Sequence, residues 1–431
     1  MRFTKEYPVT VTESLKTQLL LWAQQFEEVV WLDSNDFKQS HGNYQAILAV
    51  DAFTAIKTDY FNAFDKLNEY QLKTADWLFG YLTYDLKNDI EDLSSKNFDG
   101  LNFPDLYFFQ PKKVFLFSET DVIIQYLTMV EDEMDNDWQE IQNYLIEEES
   151  KADTTPLKIR LRTSKDSYFE KVNEMLRHIE RGDIYEANFC QEFHSEDTPI
   201  DPLRSFLHLN EISKPPFASF VKLENQYALS ASPERYIKKT DNKVVSQPIK
   251  GTAKRFLDPS EDKEMIEKLS LDPKERSENI MITDLVRNDL SKVAMKGSVK
   301  VEELCKIYSF EQVHQMISTI SCTVPDDLPP VEIIRNTFPM GSMTGAPKIS
   351  AMQIIEELED AKRGLYSGAV GYFSPTNDFD FNVVIRSILY NAATKYVSYS
   401  VGGAITAKSI PENEYEECLL KAKAMREVLE R

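Results

Sequence analysis

Cysteine is scarce: the four in this 431-residue chain (Cys190, Cys305, Cys322 and Cys418) lie far apart and form no CxxC pair. That spacing argues against a disulfide framework or a structural zinc site and fits a reduced, cytoplasmic chain. No run of about 18 apolar residues is present to span a bilayer, so no membrane role is expected. The start, Met1-Arg2-Phe3-Thr4-Lys5-Glu6-Tyr7-Pro8, lacks the apolar stretch of a secretion signal. Positive charge is also in deficit, with 49 Lys+Arg against 71 Asp+Glu and a net charge of −22. Polyanions are repelled by such a chain, which excludes a general nucleic-acid binder. GxGxxG, HExxH and GxSxG are all absent, and Gly341–Lys348 misses the spacing of a phosphate loop, with Pro347 removing a donor N–H.

What is present suits a large folded body. Hydrophobic residues make up 42% and aromatics 11%, enough to bury a sizeable core. The length fits two or three domain-sized units or one interlocked α/β body. In the first part, Val11–Val30 reads as a helix running into a strand, Tyr44–Asp51 and Trp77–Tyr84 as strands, and Val114–Tyr126 as a strand pair. The acidic stretch Glu147–Pro156 marks a soft boundary between an N-terminal region (1–155) and a denser region (156–431). There, Ser164–Arg181 reads as a helix capped by Ser164 and stopped by Gly182. Alternation from Ala218 to Lys250 predicts an antiparallel meander, and Gly368–Val401 predicts three strands. Helices are expected at Lys274–Asp289, Ala351–Leu358 and Glu412–Leu429. Hairpins flanked by helices without strict βαβ alternation predict an α+β fold of layered antiparallel sheets.

Several residues are candidates for chemistry. Glu275 and Glu278 share a face at the start of one helix, and Glu414 and Glu417 do so on the last, with Lys421 next on that stripe. Two hard carboxylates, one per helix, plus a substrate carboxylate would suit Mg²⁺, although in an acidic chain such pairs also serve as solvated faces. Lys250 ends an apolar strand beside Gly251. Facing a pocket, with desolvation and neighbouring cations lowering its pKa, it would be a nucleophile; on the outside it would be inert. At a pKa of ~10.4 only about one lysine in 2,500 is neutral at pH 7. Glu234 would be a general acid if burial raised its pKa, or else a salt-bridge partner. Arg386 interrupts the apolar run Phe381–Ile385, and a buried guanidinium needs an anion, structural or bound. His314 is a lone histidine, and the Gly341–Lys348 turn is either the start of a helix or a nest of amides for a carboxylate.

In order along the chain, Gly182-Asp183-Ile184-Tyr185, Ser232-Pro233-Glu234-Arg235, Pro248-Ile249-Lys250-Gly251-Thr252, Lys274–Asn279 with Asp284–Asp289, Gly341–Lys348, Ile385-Arg386, Gly402-Gly403-Ala404-Ile405 and Glu414–Glu417 resemble the chorismate-utilising enzymes. The resemblance covers about residues 160–430 and implies an anthranilate synthase component I-like fold, with the N-terminal region as its more variable part. Lysine at position 250, where anthranilate synthases carry alanine, resembles the aminodeoxychorismate synthase component I branch. Anthranilate synthase is the alternative; an isochorismate or salicylate synthase, or a non-catalytic chorismate-binding subunit, stands further off. The implied reaction converts chorismate and ammonia to 4-amino-4-deoxychorismate on the route to 4-aminobenzoate and folate. The ammonia would come from a separate glutamine amidotransferase subunit.

By the same resemblance, Lys250 attacks C2 of chorismate and Glu234 protonates the departing hydroxyl. Glu278 and Glu417, with Glu275 and Glu414 close by, hold Mg²⁺ against the ring carboxylate. Gly402, Gly403 and Ala404 offer backbone N–H groups. Arg386, Tyr372, Thr344, Lys348 and His314 surround the rest of the substrate. Glu186 stands where amino-transferring members carry glutamine, which adds negative charge that would raise the pKa of Lys250 if it points inward.

Overall fold

A computed structural model describes residues 1–37, 41–146 and 157–430. The boundary expected at Glu147–Pro156 falls outside the described residues. Strands from both regions share one hydrogen-bonded system, with Glu28–Asp33 pairing Phe217–Leu223 and Leu78–Leu82 pairing Ala369–Phe373. The system is two antiparallel layers. The first runs from Arg2–Pro8 through Asp121–Leu127, Leu106–Phe117, Ala46–Thr58, Glu28–Asp33, Phe217–Leu223, Gln226–Ser232, Ser387–Asn391 and Tyr396–Thr406 to Glu186–Ser195. The second runs from Leu78–Leu82 through Ala369–Phe373, Phe379–Val383, Arg235–Thr240 and Lys243–Gln247 to Val313–Thr323. Leu106–Phe117 belongs to both, since its first half also pairs with Leu78–Leu82.

Period-two alternation fills both faces of the first layer. Val30 and Ala49 enter the cluster between the layers, while Val29, Trp31, Leu48 and Val50 pack beneath the helices on the far side. Covered on both faces, these strands read as unbroken apolar runs. The helix Lys165–Arg181 forms as expected: Ser164 accepts from the Ser167 N–H and Gly182 ends it at φ +85°. Tyr168, Val172 and Met175 are its buried face. Among the described residues no helix is long and apolar enough to cross a membrane.

The α+β layered fold stands, but two strand assignments change. The stretch Ala218–Lys250 is not one meander. Gln226–Ser232 pairs back on Phe217–Leu223 in the first layer, whereas Arg235–Thr240 pairs with Lys243–Gln247 in the second. The chain crosses between layers at Pro233-Glu234. Likewise Phe379–Val383 lies in the second layer and Ser387–Asn391 in the first, with a crossing at Val384–Arg386, where Arg386 takes φ +53°. Four strands therefore replace the three expected in Gly368–Val401. Alternation reports a buried face and not which sheet a strand joins, so a change of layer leaves no mark in the pattern. The crossings are tied together: Val383 N–H donates to Glu234 O (3.0 Å) and Ala231 N–H to Arg386 O (3.2 Å).

Candidate active site

The crossings deliver Glu234 and Arg386 to one end of the gap between the layers. Glu234 is 4% exposed. Burial pushes its carboxyl up to about 7, against a hydrogen bond from Ser342, the nearby Lys250 ammonium and the Ile249 backbone. A carboxyl poised there can hold a proton near neutrality, as a general acid must. Arg386 is half-buried, and burial lowers its pKa while Tyr366 and Glu417 oppose the shift.

Lys250 lies in the short strand Ile249–Lys254, which pairs with Val313–Thr323. Its Nζ stands 3.5 Å from Glu186 Oε1, and the two side chains are 12% and 1% exposed. Burial alone would lower its pKa, but Glu186, Glu278 and Glu234 together hold the ammonium above its usual value. The cations expected around Lys250 are carboxylates instead. Glu186 points inward, and its charge acts on Lys250 in the direction the substitution for glutamine implies.

Two helices bring the acid pairs. Pro273–Ser291 starts at Asp272, whose side chain accepts from the Lys274 and Glu275 N–H groups, so its first turn is fixed. Pro411–Leu429 packs along the strand Tyr396–Thr406. Glycines let the acids approach. A Cβ at Gly251, where φ is +91°, would lie 3.1 Å from Glu275 Oε2, and one at Gly403 would lie 3.3 Å from Glu414 Oε2 and 3.7 Å from Glu417 Oε1. Burial raises Glu278 to about 7, with Glu186 and Glu275 adding to the effect of burial and Lys250 and Lys274 opposing it. Burial also raises Glu275. Glu417 ends below its usual range because Lys421, Lys274 and Lys250 outweigh its burial. Its Oε1 is 2.6 Å from Lys421 Nζ.

Lys274, which the sequence reading did not single out, sits among these acids. Its Nζ is 3.6 Å from Glu414 Oε1 and 3.9 Å from Glu278 Oε1. Its proximity was legible only as the i,i+4 spacing to Glu278. No three metal-ligating side chains converge among the described residues. The chemistry of the donors nevertheless fits a hard divalent ion: Glu278 Oε1 is buried without a hydrogen-bond partner, and Lys274 Nζ bridges Glu278 on one helix and Glu414 on the other. Ser342, which bonds Glu234, was likewise missed, hidden in a turn read for its glycines.

Not every candidate joins this group. Gly402 does: its carbonyl accepts from Lys421 Nζ (2.8 Å), on the strand edge away from its partner Cys190, and a strand residue's N–H shares the edge of its carbonyl. Gly403 and Ala404 follow on the same strand, paired with Phe189 and Asn188. Lys348 is spent elsewhere, on Asp289 Oδ2 (2.5 Å) and the carbonyls of Pro339 (2.8 Å) and Thr337 (3.1 Å). Thr344 is fully buried and donates to Gly341 O (3.2 Å) and Met340 O (3.4 Å). The Met343 and Thr344 amides close the turn onto Met340 and Gly341, so they are not an open nest. His314 is fully buried, with Nε2 on Asp262 (2.9 Å) and Nδ1 on Ser309 (2.8 Å). Tyr372 packs on Trp77 and Phe79. For Lys348, His314 and Tyr372 a residue type was legible, but a partner that satisfies it (Asp289, Asp262 and Trp77) lay far away in sequence, whereas Thr344 bonds within its own turn.

The profile of a family described as chorismate binding enzyme matches residues 9–427. Aminodeoxychorismate synthase component 1 of Escherichia coli is 40% identical over 268 residues, covering 62% of this chain and 58% of that protein. Aminodeoxychorismate synthase of Arabidopsis thaliana is 41% identical over 264 residues, covering 61% and 28%. The matched stretch is thus less than two thirds of either relative's length. Anthranilate synthase component 1 of Thermus thermophilus is 32% identical over 360 residues, covering 81% and 77%. Among solved structures, anthranilate synthase component I from Streptococcus pneumoniae superposes with a TM-score of 0.76 at 24% identity, covering 91% and 95%, which establishes a shared fold.

Proposed function

The chain belongs to the chorismate-binding enzymes, and from that premise we propose that it aminates chorismate at C4 as an aminodeoxychorismate synthase component I. The observation that carries this reading is Lys250: buried, beside a carboxyl held near pH 7, and flanked by the acid pairs of two helices. The relatives named aminodeoxychorismate synthase support it.

Lys250 attacks C2 while Glu234 gives its proton to the departing C4 hydroxyl. The ring is then held on the lysine, and ammonia adds at C4 as the lysine amine leaves. Splitting one displacement into two is what a covalent intermediate provides. Burial does the preparation at Glu234, since a solvated glutamate would be ionised at neutral pH. Lys250 requires the opposite change. Its proton must go before attack, and the charge of the acids around it opposes that loss. Glu278, Glu417, Glu275 and Glu414 would hold Mg²⁺, which when bound neutralises a substrate carboxylate and the surrounding acids. Arg386 and the Gly402 N–H offer the substrate's carboxylates a guanidinium and an amide. Ammonia comes from a separate glutamine amidotransferase subunit, the product serves 4-aminobenzoate and folate synthesis, and the protein works in the cytoplasm.

The test is incubation with chorismate, Mg²⁺ and an ammonium salt, followed by chromatography. The expected product is 4-amino-4-deoxychorismate. Anthranilate, isochorismate or salicylate would assign the chain to another branch, and absence of turnover would make it a binding subunit.

A further inference from the structure

Arg363 has no part in the steps above, yet its side chain is only 2% exposed and that of its ion-pair partner Glu359 only 4%. The strand Glu186–Ser195 is paired along one edge with Tyr396–Thr406. Its other edge meets Gly345-Ala346 at one end and Arg160–Leu161 at the other. Between them the ion pair stands where a strand would run. Glu359 Oε1 accepts from the Cys190 N–H (2.9 Å), and Arg363 donates to Asn188 O (2.8 Å). The rest of the guanidinium is held as firmly. It donates to both Glu359 oxygens (2.6 and 2.9 Å) and to Met343 O (2.7 Å), and its central carbon lies 4.5 Å from the centroid of the Tyr84 ring.

Met343 ends the turn Gly341–Met343, and the residue before it, Ser342, bonds the Glu234 carboxyl. Backbone bonds from Asn188 to Thr344 O and from Tyr185 to Ala346 O, both 2.7 Å, hold the far end of this segment. Arg363 reaches the near end, since Met343 O is one residue from Ser342. A planar fork of donors can span Met343 O, Asn188 O and a carboxylate at once, whereas an ammonium donates from a single point. Resting on the role read for Glu234, we propose that Arg363 is a positioning residue for the proton donor, fixing the turn from which Ser342 holds the Glu234 carboxyl. It acts through Ser342 and not by its own charge, which Glu359 offsets. The Ser342 hydrogen bond favours the ionised carboxylate and so limits how far burial raises this acid.

Two readouts test this in Arg363→Lys, with Glu359→Gln as a milder release of the same guanidinium and Ser342→Ala as the reference. The fall of kcat with rising pH is expected to move upward by about one pH unit in Arg363→Lys and Ser342→Ala, because the carboxylate loses a donor, and by less in Glu359→Gln. Arg363→Lys combined with Ser342→Ala should shift no further than Ser342→Ala alone. The second readout needs no turnover. The stability that Glu234→Gln gains over Glu234 should reach its plateau about one pH unit higher when Arg363→Lys is also present. A merely structural Arg363 would lower the melting point and leave both pH curves in place, which overturns the proposal. So do additive shifts, or loss of the fold in both Arg363→Lys and Glu359→Gln. Wild-type protein that makes another product refutes the proposed reaction, while the stability comparison still decides the role of Arg363.

Discussion

Lys250 Nζ and Glu186 Oε1 stand 3.5 Å apart, an ion pair between two strands that meet nowhere in the hydrogen-bond register. Glu186–Ser195 belongs to the first layer and Ile249–Lys254 hangs on the second, so the pair spans the gap in which the chemistry is proposed. It also holds Lys250 at rest as an ammonium. Replacing Lys250 with Ala is expected to cost roughly a thousandfold or more in amination while chorismate binding changes far less, because only the covalent step is lost. Steady-state kinetics alongside chorismate titration separate the two; turnover near wild type in Lys250→Ala would contradict the role.

Glu234 predicts a pH-dependent stability difference. Its folded pKa lies near 7, above the unfolded value near 4.5, so above about pH 7 the fold bears the full penalty of a buried charge. That penalty fades as pH falls toward 4.5. Glu234→Gln should therefore be more stable than wild type at pH 8, by up to about 3 kcal/mol, and the advantage should vanish near pH 4.5. Denaturant melts at both pH values measure this. The same variant is expected to lose about 10²–10⁴ in turnover as the proton donor disappears.

Lys274 competes for the acids that would take a divalent ion. Removing its charge in Lys274→Met leaves Glu278 and Glu414 without their ammonium, so Mg²⁺ should bind several-fold more tightly in calorimetry without substrate. Glu278→Gln should bind Mg²⁺ more weakly, roughly tenfold or more. Weaker Mg²⁺ binding in Lys274→Met would mean that the lysine supports the site.

Lys348 is expected to matter for folding and not for substrate. Its ammonium is buried against Asp289 and two carbonyls, and Lys348→Met leaves that carboxylate only the half-exposed Lys292 ammonium at 3.1 Å. A loss of up to about 3 kcal/mol, less than for a wholly unpaired buried charge, is expected, with the chorismate KM of surviving enzyme unchanged. Calorimetric melts and kinetics check both halves.

Much of the fold was legible because it is local. Helix Lys165–Arg181 carried its cap, its stop and its buried face within nineteen residues. The acid pairs were visible because spacing on a helix needs no tertiary knowledge. What escaped was everything set by a distant partner: the change of layer at Glu234 and again at Arg386, the carboxylate ring around Lys250, and the capture of Lys348 by Asp289 and of His314 by Asp262. The Gly341–Lys348 turn shows the same limit, since Gly341 marks close packing against Leu285, and Gly345 against Glu186 and Ala187, as readily as a ligand cradle.

The most direct measurement withholds the nitrogen donor. Protein incubated with chorismate and Mg²⁺ in ammonia-free buffer, then quenched and digested, should carry an adduct of chorismate less water on the peptide containing Lys250, and ammonium added before quenching should discharge it. An unmodified Lys250 in protein that still turns over once ammonium is supplied would contradict the account.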